Sequence, residues 1–214
     1  MTLQQTYDQL IQRYGINTAG ETVTEFSDKG TVHSYIDFYD QILTPYRNYA
    51  RLLEIGVMTG ASLLLWDTWF DAVELTGIDL RPGFNQRRPW HDHIETADNI
   101  ELRFGVDSTK STEVTQLWDI IIDDGSHDPA DQCATFDNYF RCVAPHGVYV
   151  IEDIVDATAM AQVREHVERA LEWSLLAFED GPRVTITEFH GHRAGRKDED
   201  RKSTRLNSSH TDIS

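Results

Sequence analysis

"LLEIGVMTGASLLLW", residues 52–66, joins a short apolar run to a turn carrying two glycines and then to a second apolar block. The run reads as a buried strand, Gly56 and Gly60 as a tight turn, and the block as a helix. A strand, a glycine turn and a helix form the unit that takes up nucleotide-like cofactors, because the glycines let backbone approach the ligand where the helix begins. The dinucleotide fingerprint G-x-G-x-x-G would need glycine at 58 and 61, where Met58 and Ala61 stand. A pyrophosphate would therefore fit poorly.

Outward from this unit the chain alternates β-rich runs with helical patterns. The strands are "RLLEIG" (51–56), "VELTGIDL" (73–80), "IELRFG" (100–105), "DIIIDD" (119–124) and "GVYVIEDI" (147–154). Apolar residues occupy consecutive positions in them, as expected of strands covered on both faces of a parallel sheet. Helical patterns fall near 60–70, 86–97, 109–117, 129–143 and 157–172, which predicts right-handed β-α crossovers. "SLLAFED" and "RVTITEFH", separated by Gly181-Pro182, read as a closing antiparallel hairpin. The expected fold is an α/β, Rossmann-like, doubly wound seven-stranded sheet, mostly parallel with a C-terminal antiparallel hairpin.

The first 49 or so residues have helical spacing instead, with Tyr35, Phe38, Tyr39 and Ile42 on one face of "SYIDFYDQIL". Helices placed before the first strand of such a sheet commonly lie across its carboxyl edge, where ligands bind, although core packing accounts for most of these aromatics. With 214 residues the chain suffices for one sizeable core, expected over 1–192. From Arg193 onward it turns polar and aperiodic, so disorder is expected, and "RKSTRLNSSHTDIS" (201–214) looks like translated adapter or vector sequence.

Composition narrows the function classes. A formal net charge of −17 argues against a nucleic-acid partner, which needs a basic face. No apolar run approaches the roughly 20 residues that cross a bilayer, and the opening lacks a basic region followed by an apolar stretch. Neither a membrane partner nor a signal peptide is expected, and the location is read as cytoplasmic. Cys133 and Cys142 form no CxxC pair and read as packed thiols. His190 and His192, at the fraying end of a last strand, are given no role.

The chemistry gathers at strand ends. Asp79 closes the second strand, where a carboxylate can accept both ribose hydroxyls. Asp123 and Asp124 close the fourth strand and Glu152 and Asp153 the fifth. Adjacent parallel strands lie about 4.8 Å apart, so these acids repel unless a proton or cation sits among them. A hard divalent ion is the simplest resolution, Mg²⁺ foremost, with Mn²⁺ or Ca²⁺ as variants. Asp128 followed by Pro129 reads as a helix N-cap and N1 pair. His127, three residues after Asp124, carries an imidazole that ordinarily titrates near pH ~6.5 and suits proton abstraction.

The pattern E-x-G-x-x-x-G resembles motif I of class I S-adenosylmethionine-dependent methyltransferases, whose turn faces the methionine portion of the cofactor. "SDKGTVHSYIDFYDQIL", "LLEIGVMTGASLLLW", "GIDL", "IIIDDGSH" and "IEDI" together resemble the Mg²⁺-dependent sugar O-methyltransferases of macrolide and rhamnosyl natural-product pathways and the related cephalosporin-hydroxylase-named family, over roughly residues 26–155. The resemblance implies Glu54, Gly56, Gly60, Ser62, Asp79, Asp107 and Ser108 as cofactor contacts, the last two near adenine, although Asp107 can equally cap the next helix. It implies Asp124, Glu152 and Asp153 as metal ligands and His127 as base. Asp28, Lys29, His33 and Tyr35, on the D-K-G-x-x-H-x-Y segment, would cover the site.

The expected activity is methyl transfer from S-adenosyl-L-methionine to a sugar hydroxyl whose vicinal neighbour also reaches the Mg²⁺. The partner would be a small-molecule glycoside or glycan. The macrolide enzymes can carry a long extra N-terminal domain, so acceptor identity and homo-oligomer formation stay open. An NAD-dependent sugar oxidoreductase or epimerase would share the turn and Asp79 but has no need of the acidic cluster. A non-catalytic scaffold with a vestigial site is the other alternative.

Overall fold

The computed structural model describes residues 1–14, 26–30, 35–110, 116–175, 183–188 and 204–206. Helices α1 (Leu3–Tyr14) and α2 (Ile36–Leu43) precede β1 (Ala50–Ile55), which the glycine turn joins to α3 (Ala61–Trp69). Then come β2 (Val73–Asp79), α4 (His91–Thr96), β3 (Ile100–Phe104), β4 (Trp118–Asp123), α5 (Pro129–Tyr139), β5 (Val143–Ile154), α6 (Ala157–Leu175), β6 (Arg183–Glu188) and β7 (Thr204–Leu206). The sheet order is β3-β2-β1-β4-β5-β6-β7, and the first six strands run parallel. The chain leaves β1 toward β2 on one side and returns to β4 on the other, so a crevice opens between β1 and β4 at their carboxyl ends. That is the position where doubly wound sheets bind ligands.

Strand parity builds two cores from one sheet. Leu52, Ile120, Ile122, Val148 and Val150 pack on the face covered by α1, α2 and α3. Leu53, Ile55, Ile121, Tyr149 and Ile151 pack on the face covered by α5 and α6. Successive side chains of a strand point to opposite faces, which is why these segments carry apolar residues at adjacent positions. The same parity decides where the acids at the strand ends go.

The closing strands differ from the expected hairpin. Residues 174 and 175 of "SLLAFED" still belong to α6, and 176–182 lie outside the described residues. β6 pairs in parallel with β5, and the strand antiparallel to it is Thr204–Leu206, which follows it. A β-like run after a long crossover helix joins a sheet in parallel as readily as it forms a hairpin, so local pattern alone did not separate the two. Thr204–Leu206 also falls in the stretch expected to be unstructured. Of the helix expected at 109–117, residues 111–115 lie outside the described residues. Asp128 caps α5 as expected, its Oδ1 accepting the Ala130 N–H at 2.9 Å with Pro129 at the first helical position.

Gly56 is where the cofactor turn and the acidic loop meet. Its φ is +93°, and a Cβ placed there would lie 2.0 Å from the backbone oxygen of Asp124. Any side chain must push β1 and β4 apart at their ends. Gly56→Ala is expected to lower stability by about 2 kcal/mol or more. Gly83→Ala, with no atom of the described residues within 4 Å of the added carbon, should stay within about 0.5 kcal/mol of the unaltered chain. Urea denaturation of both variants checks the contrast.

Candidate active site

The crevice is a cavity of about 830 Å³, bordered by the glycine turn, the end of β2, the start of the 107–109 turn and the loop after β4. That volume lies in the range of small-molecule sites. Gly56, Ser62, Asp79, Asp107, Ser108, Asp124, His127 and Asp153 all border it, whereas Glu54, Gly60 and Glu152 do not.

The turn is held from below by Asp79. Its Oδ2 accepts the N–H groups of Val57 and Met58, both at 3.0 Å, and its Oδ1 accepts that of Arg81 at 2.8 Å. These bonds support Met58 in a left-handed conformation, φ 50°, at a position where a dinucleotide fingerprint has glycine. A carboxylate offers about four acceptor sites. Three of these are taken by backbone N–H groups, two on Oδ2 and one on Oδ1. Asp107 is committed too: its Oδ1 accepts the backbone N–H and the hydroxyl of Thr109, which hold its pKa below the ordinary carboxylate value. Asp107 thus closes the turn at 107–109, while most of the helix it was expected to cap lies outside the described residues, and Ser108 lies 3.0 Å from the Thr135 hydroxyl.

Gly60, the N-cap of α3, has no side chain to cap it, so the first-turn amides and partial positive charge of the helix are presented beside the crevice. Glu54 and Ser62 sit behind and within that end. Glu54 is fully buried, and among the described residues neither of its oxygens has a hydrogen-bond partner in good geometry. Burial raises its pKa to about 7, against opposing effects of the Lys29 charge, the Ser62 hydroxyl and the Trp66 indole.

The acids after β4 and β5 separate by parity. Asp123 points with Ile121 toward the α5–α6 face, where the Tyr149 hydroxyl lies 3.5 Å away, and burial raises its pKa to about 8. Asp124 and Glu152 lie on the other face, toward α2. Asp153 would follow Tyr149 and Ile151, but its φ is +60° and the β5–β6 register shifts between Ile151 and Ile154. The distortion brings it into the cavity, where its Oδ1 accepts the Tyr35 hydroxyl at 2.7 Å. Asp124, His127 and Asp153 then offer ligand atoms within 4.8 Å of one another, with His127 Nε2 4.0 Å from Asp153 Oδ2.

The expected metal set of Asp124, Glu152 and Asp153 is therefore divided. Glu152 is buried and committed to protein donors: Lys29 Nζ reaches its Oε1 at 2.6 Å, and the Tyr39 hydroxyl donates to the same oxygen. Lys29 Nζ also reaches Asp124 Oδ2 at 2.8 Å. Burial alone would lower the Lys29 pKa, but Asp124, Glu152 and Glu54 outweigh it and hold it well above its ordinary value. Burial pushes Glu152 upward and the ammonium opposes it. With two donors on one oxygen, the geometry favours the ion pair.

The cation that the acidic pairs demanded is thus in part a lysine. Lys29 and Tyr35 were readable from the D-K-G-x-x-H-x-Y segment. Tyr39 was read as core, yet its spacing of four from Tyr35 puts both hydroxyls on one helical face. His33 and the Asp28 side chain lie outside the described residues. Oxygen donors from Asp124 and Asp153 suit a hard divalent ion, while Lys29 offsets part of the negative charge of Asp124 and Glu152.

Comparison with known proteins bears on the family and the fold. Residues 53–154 match the family model described as a methyltransferase domain. The chain is 33% identical over 147 residues to the 8-demethyl-8-alpha-L-rhamnosyl tetracenomycin-C 2'-O-methyltransferase of Streptomyces olivaceus, covering 64% of this chain and 37% of that protein. It is 32% identical over 140 residues to the mycinamicin VI 2''-O-methyltransferase of Micromonospora griseorubida, covering 58% of this chain and 32% of that protein. Among solved structures it resembles MycE, a methyltransferase from the mycinamycin biosynthetic pathway in complex with Mg, SAH and mycinamycin VI. The TM-score is 0.54 and the identity 26%, over 72% of this chain and 37% of that one. The chain thus spans about a third of the length of these relatives. The fold is that of class I methyltransferases.

Two outcomes follow for stability. Lys29→Met strands Glu152 beside Tyr39 without its cation and is expected to cost about 3 kcal/mol or more in metal-free buffer, read by urea denaturation. Glu54 has a folded-state pKa raised from 4.5 to about 7, so its contribution is complete below pH ~4.5 and is lost as pH rises through ~7. Glu54→Gln should flatten the decline in stability across that window, measured by denaturation at several pH values.

Proposed function

We propose that this chain is an S-adenosylmethionine-dependent O-methyltransferase that works with a divalent ion, Mg²⁺ foremost, on a sugar hydroxyl with a vicinal neighbour in a glycosylated small molecule. The observation that carries this reading is the meeting of a phosphate-unfriendly glycine turn with Asp124, His127 and Asp153 in one cavity. The relatives named for methyl transfer to rhamnosyl and mycinamicin sugars, and the solved neighbour holding Mg and SAH, support cofactor, ion and acceptor class together.

In this reading the glycine turn, Asp79 and the open end of α3 would hold the nucleoside cofactor, Asp79 through its ribose and the helix amides through its carboxylate. Asp124 and Asp153 would hold the divalent ion, with Glu152 held beside them by Lys29. Such an ion supplies Lewis acidity that lowers the pKa of a hydroxyl placed against it. His127, half-exposed at the cavity edge, takes the hydroxyl proton as the methyl passes in line from sulfur to oxygen. The C–S bond breaks, the O–C bond forms, and the sulfonium becomes a neutral thioether. Asp153 Oδ2 lies 4.0 Å from Nε2 of the His127 ring. Because the carboxylates satisfy an oxygen-preferring ion, the imidazole nitrogen stays available for the proton. Holding both reactants against one rigid sheet edge contributes to the rate by positioning.

Calorimetric titration with S-adenosylhomocysteine and with Mg²⁺ tests the reading. The unaltered chain is expected to bind both, and Asp124→Ala to keep the nucleoside while losing the ion. Absence of nucleoside binding would remove the assignment. His127→Ala is expected to reduce methyl transfer to glycosides by about 10²- to 10⁴-fold, measured as S-adenosylhomocysteine release, with nucleoside affinity unchanged.

A further inference from the structure

We infer that Trp90 and His91, neither of which borders the cavity, are positioning residues that set the cofactor turn through the backbone carbonyl of Thr59. This rests on the cofactor reading above. The Thr59 oxygen accepts the Trp90 Nε1–H at 2.9 Å and lies 2.7 Å from His91 Nε2. The His91 tautomer follows from its other nitrogen: Nδ1 lies 3.1 Å from the backbone nitrogen of Arg88, which can only donate. Nδ1 is therefore the acceptor, and Nε2 carries the proton given to Thr59. Both side chains are essentially buried, at 2% and 0% exposure.

Two donors on one carbonyl fix the peptide between Thr59 and Gly60, whose N–H is bound in turn to the Val57 oxygen at 2.7 Å. The preceding carbonyl, of Met58, accepts the Asn85 N–H at 2.9 Å. With Asp79 holding the N–H groups of Val57 and Met58, the turn is pinned by β2 from one side and by residues 85–91 from the other. The carbonyls of Val57, Met58 and Thr59 are thereby occupied by protein donors, which leaves the amides at the start of α3 to meet an anionic group of the cofactor. Phe84 stacks on the His91 ring, with centroids 3.8 Å apart and planes 13° apart, and closes against Gly60, where a Cβ would meet it at 3.0 Å. Trp90 packs edge-on against Tyr14 and Phe26, so the same pair ties the turn to the N-terminal segments that carry Lys29.

The test separates donation from packing. His91→Phe keeps a ring for Phe84 but cannot donate, whereas His91→Gln restores a donor at the Nε2 position. Trp90→Phe removes the indole donor and keeps an aromatic contact. Calorimetry with S-adenosylhomocysteine should show affinity weakened roughly fivefold in His91→Phe and in Trp90→Phe, the size of one neutral hydrogen bond. The loss should be larger in the double variant, and His91→Gln should return to within about twofold of the unaltered chain. Mg²⁺ affinity should be unchanged throughout. Unchanged nucleoside affinity in His91→Phe, an equal loss in His91→Gln, or a parallel loss of Mg²⁺ binding would each overturn the inference. Failure of the unaltered chain to bind the nucleoside would instead remove the cofactor reading and this inference with it.

Discussion

Buried negative charge at the carboxyl edge of the sheet is the constraint around which this molecule is organised. Glu54, Asp79, Asp123, Glu152 and Asp153 are all buried there, with Asp124 among them. Leaving carboxylates ionised in such a place is costly unless each finds a donor, a cation or a proton. Each meets the demand differently. Asp79 takes three backbone N–H groups, Asp123 and Glu54 have pKa values raised into the neutral range, Glu152 and Asp124 share Lys29, and Asp153 accepts Tyr35. The N-terminal segments are thus more than a cover for the sheet. They supply the lysine and tyrosines that let the acids be buried together.

The second organising feature is mechanical. The Gly56 backbone lies against the Asp124 carbonyl, Asp79 grips the turn above it, and the Trp90–His91 pair holds the far side. The cofactor turn and the acidic loop are therefore parts of one rigid edge. In the proposed methyl transfer, that rigidity would set the approach of sulfur and oxygen, and positioning of this kind contributes to transfer rates.

Much of this was legible in the chain itself. The strands β1 to β5, the helices α3 to α6, the glycine turn and the acids at the strand ends all announce themselves through local signals: consecutive apolar positions, Gly56 and Gly60, and Asp128-Pro129 at a helix start. The parting of Asp123 from Asp124 was also implicit, since neighbours on a strand face opposite ways. The direction of β6 was not legible, because an isolated β-like run carries no mark of which neighbour it will join.

What the sequence by itself determined is the set of local elements and the chemical types at their ends, because periodicity and turn chemistry act over a few residues. What only the tertiary structure decided is which charges neutralise which. Lys29 and Glu152 are 123 positions apart, and nothing in either neighbourhood names the other. The twist at Asp153, which sends one carboxylate to the cavity while Glu152 turns to Lys29 and Tyr39, likewise comes from packing β5 between β4 and β6. Charge pairing in a buried cluster is a property of assembled surfaces, since burial sets the cost of each charge and the fold alone brings its partner within reach.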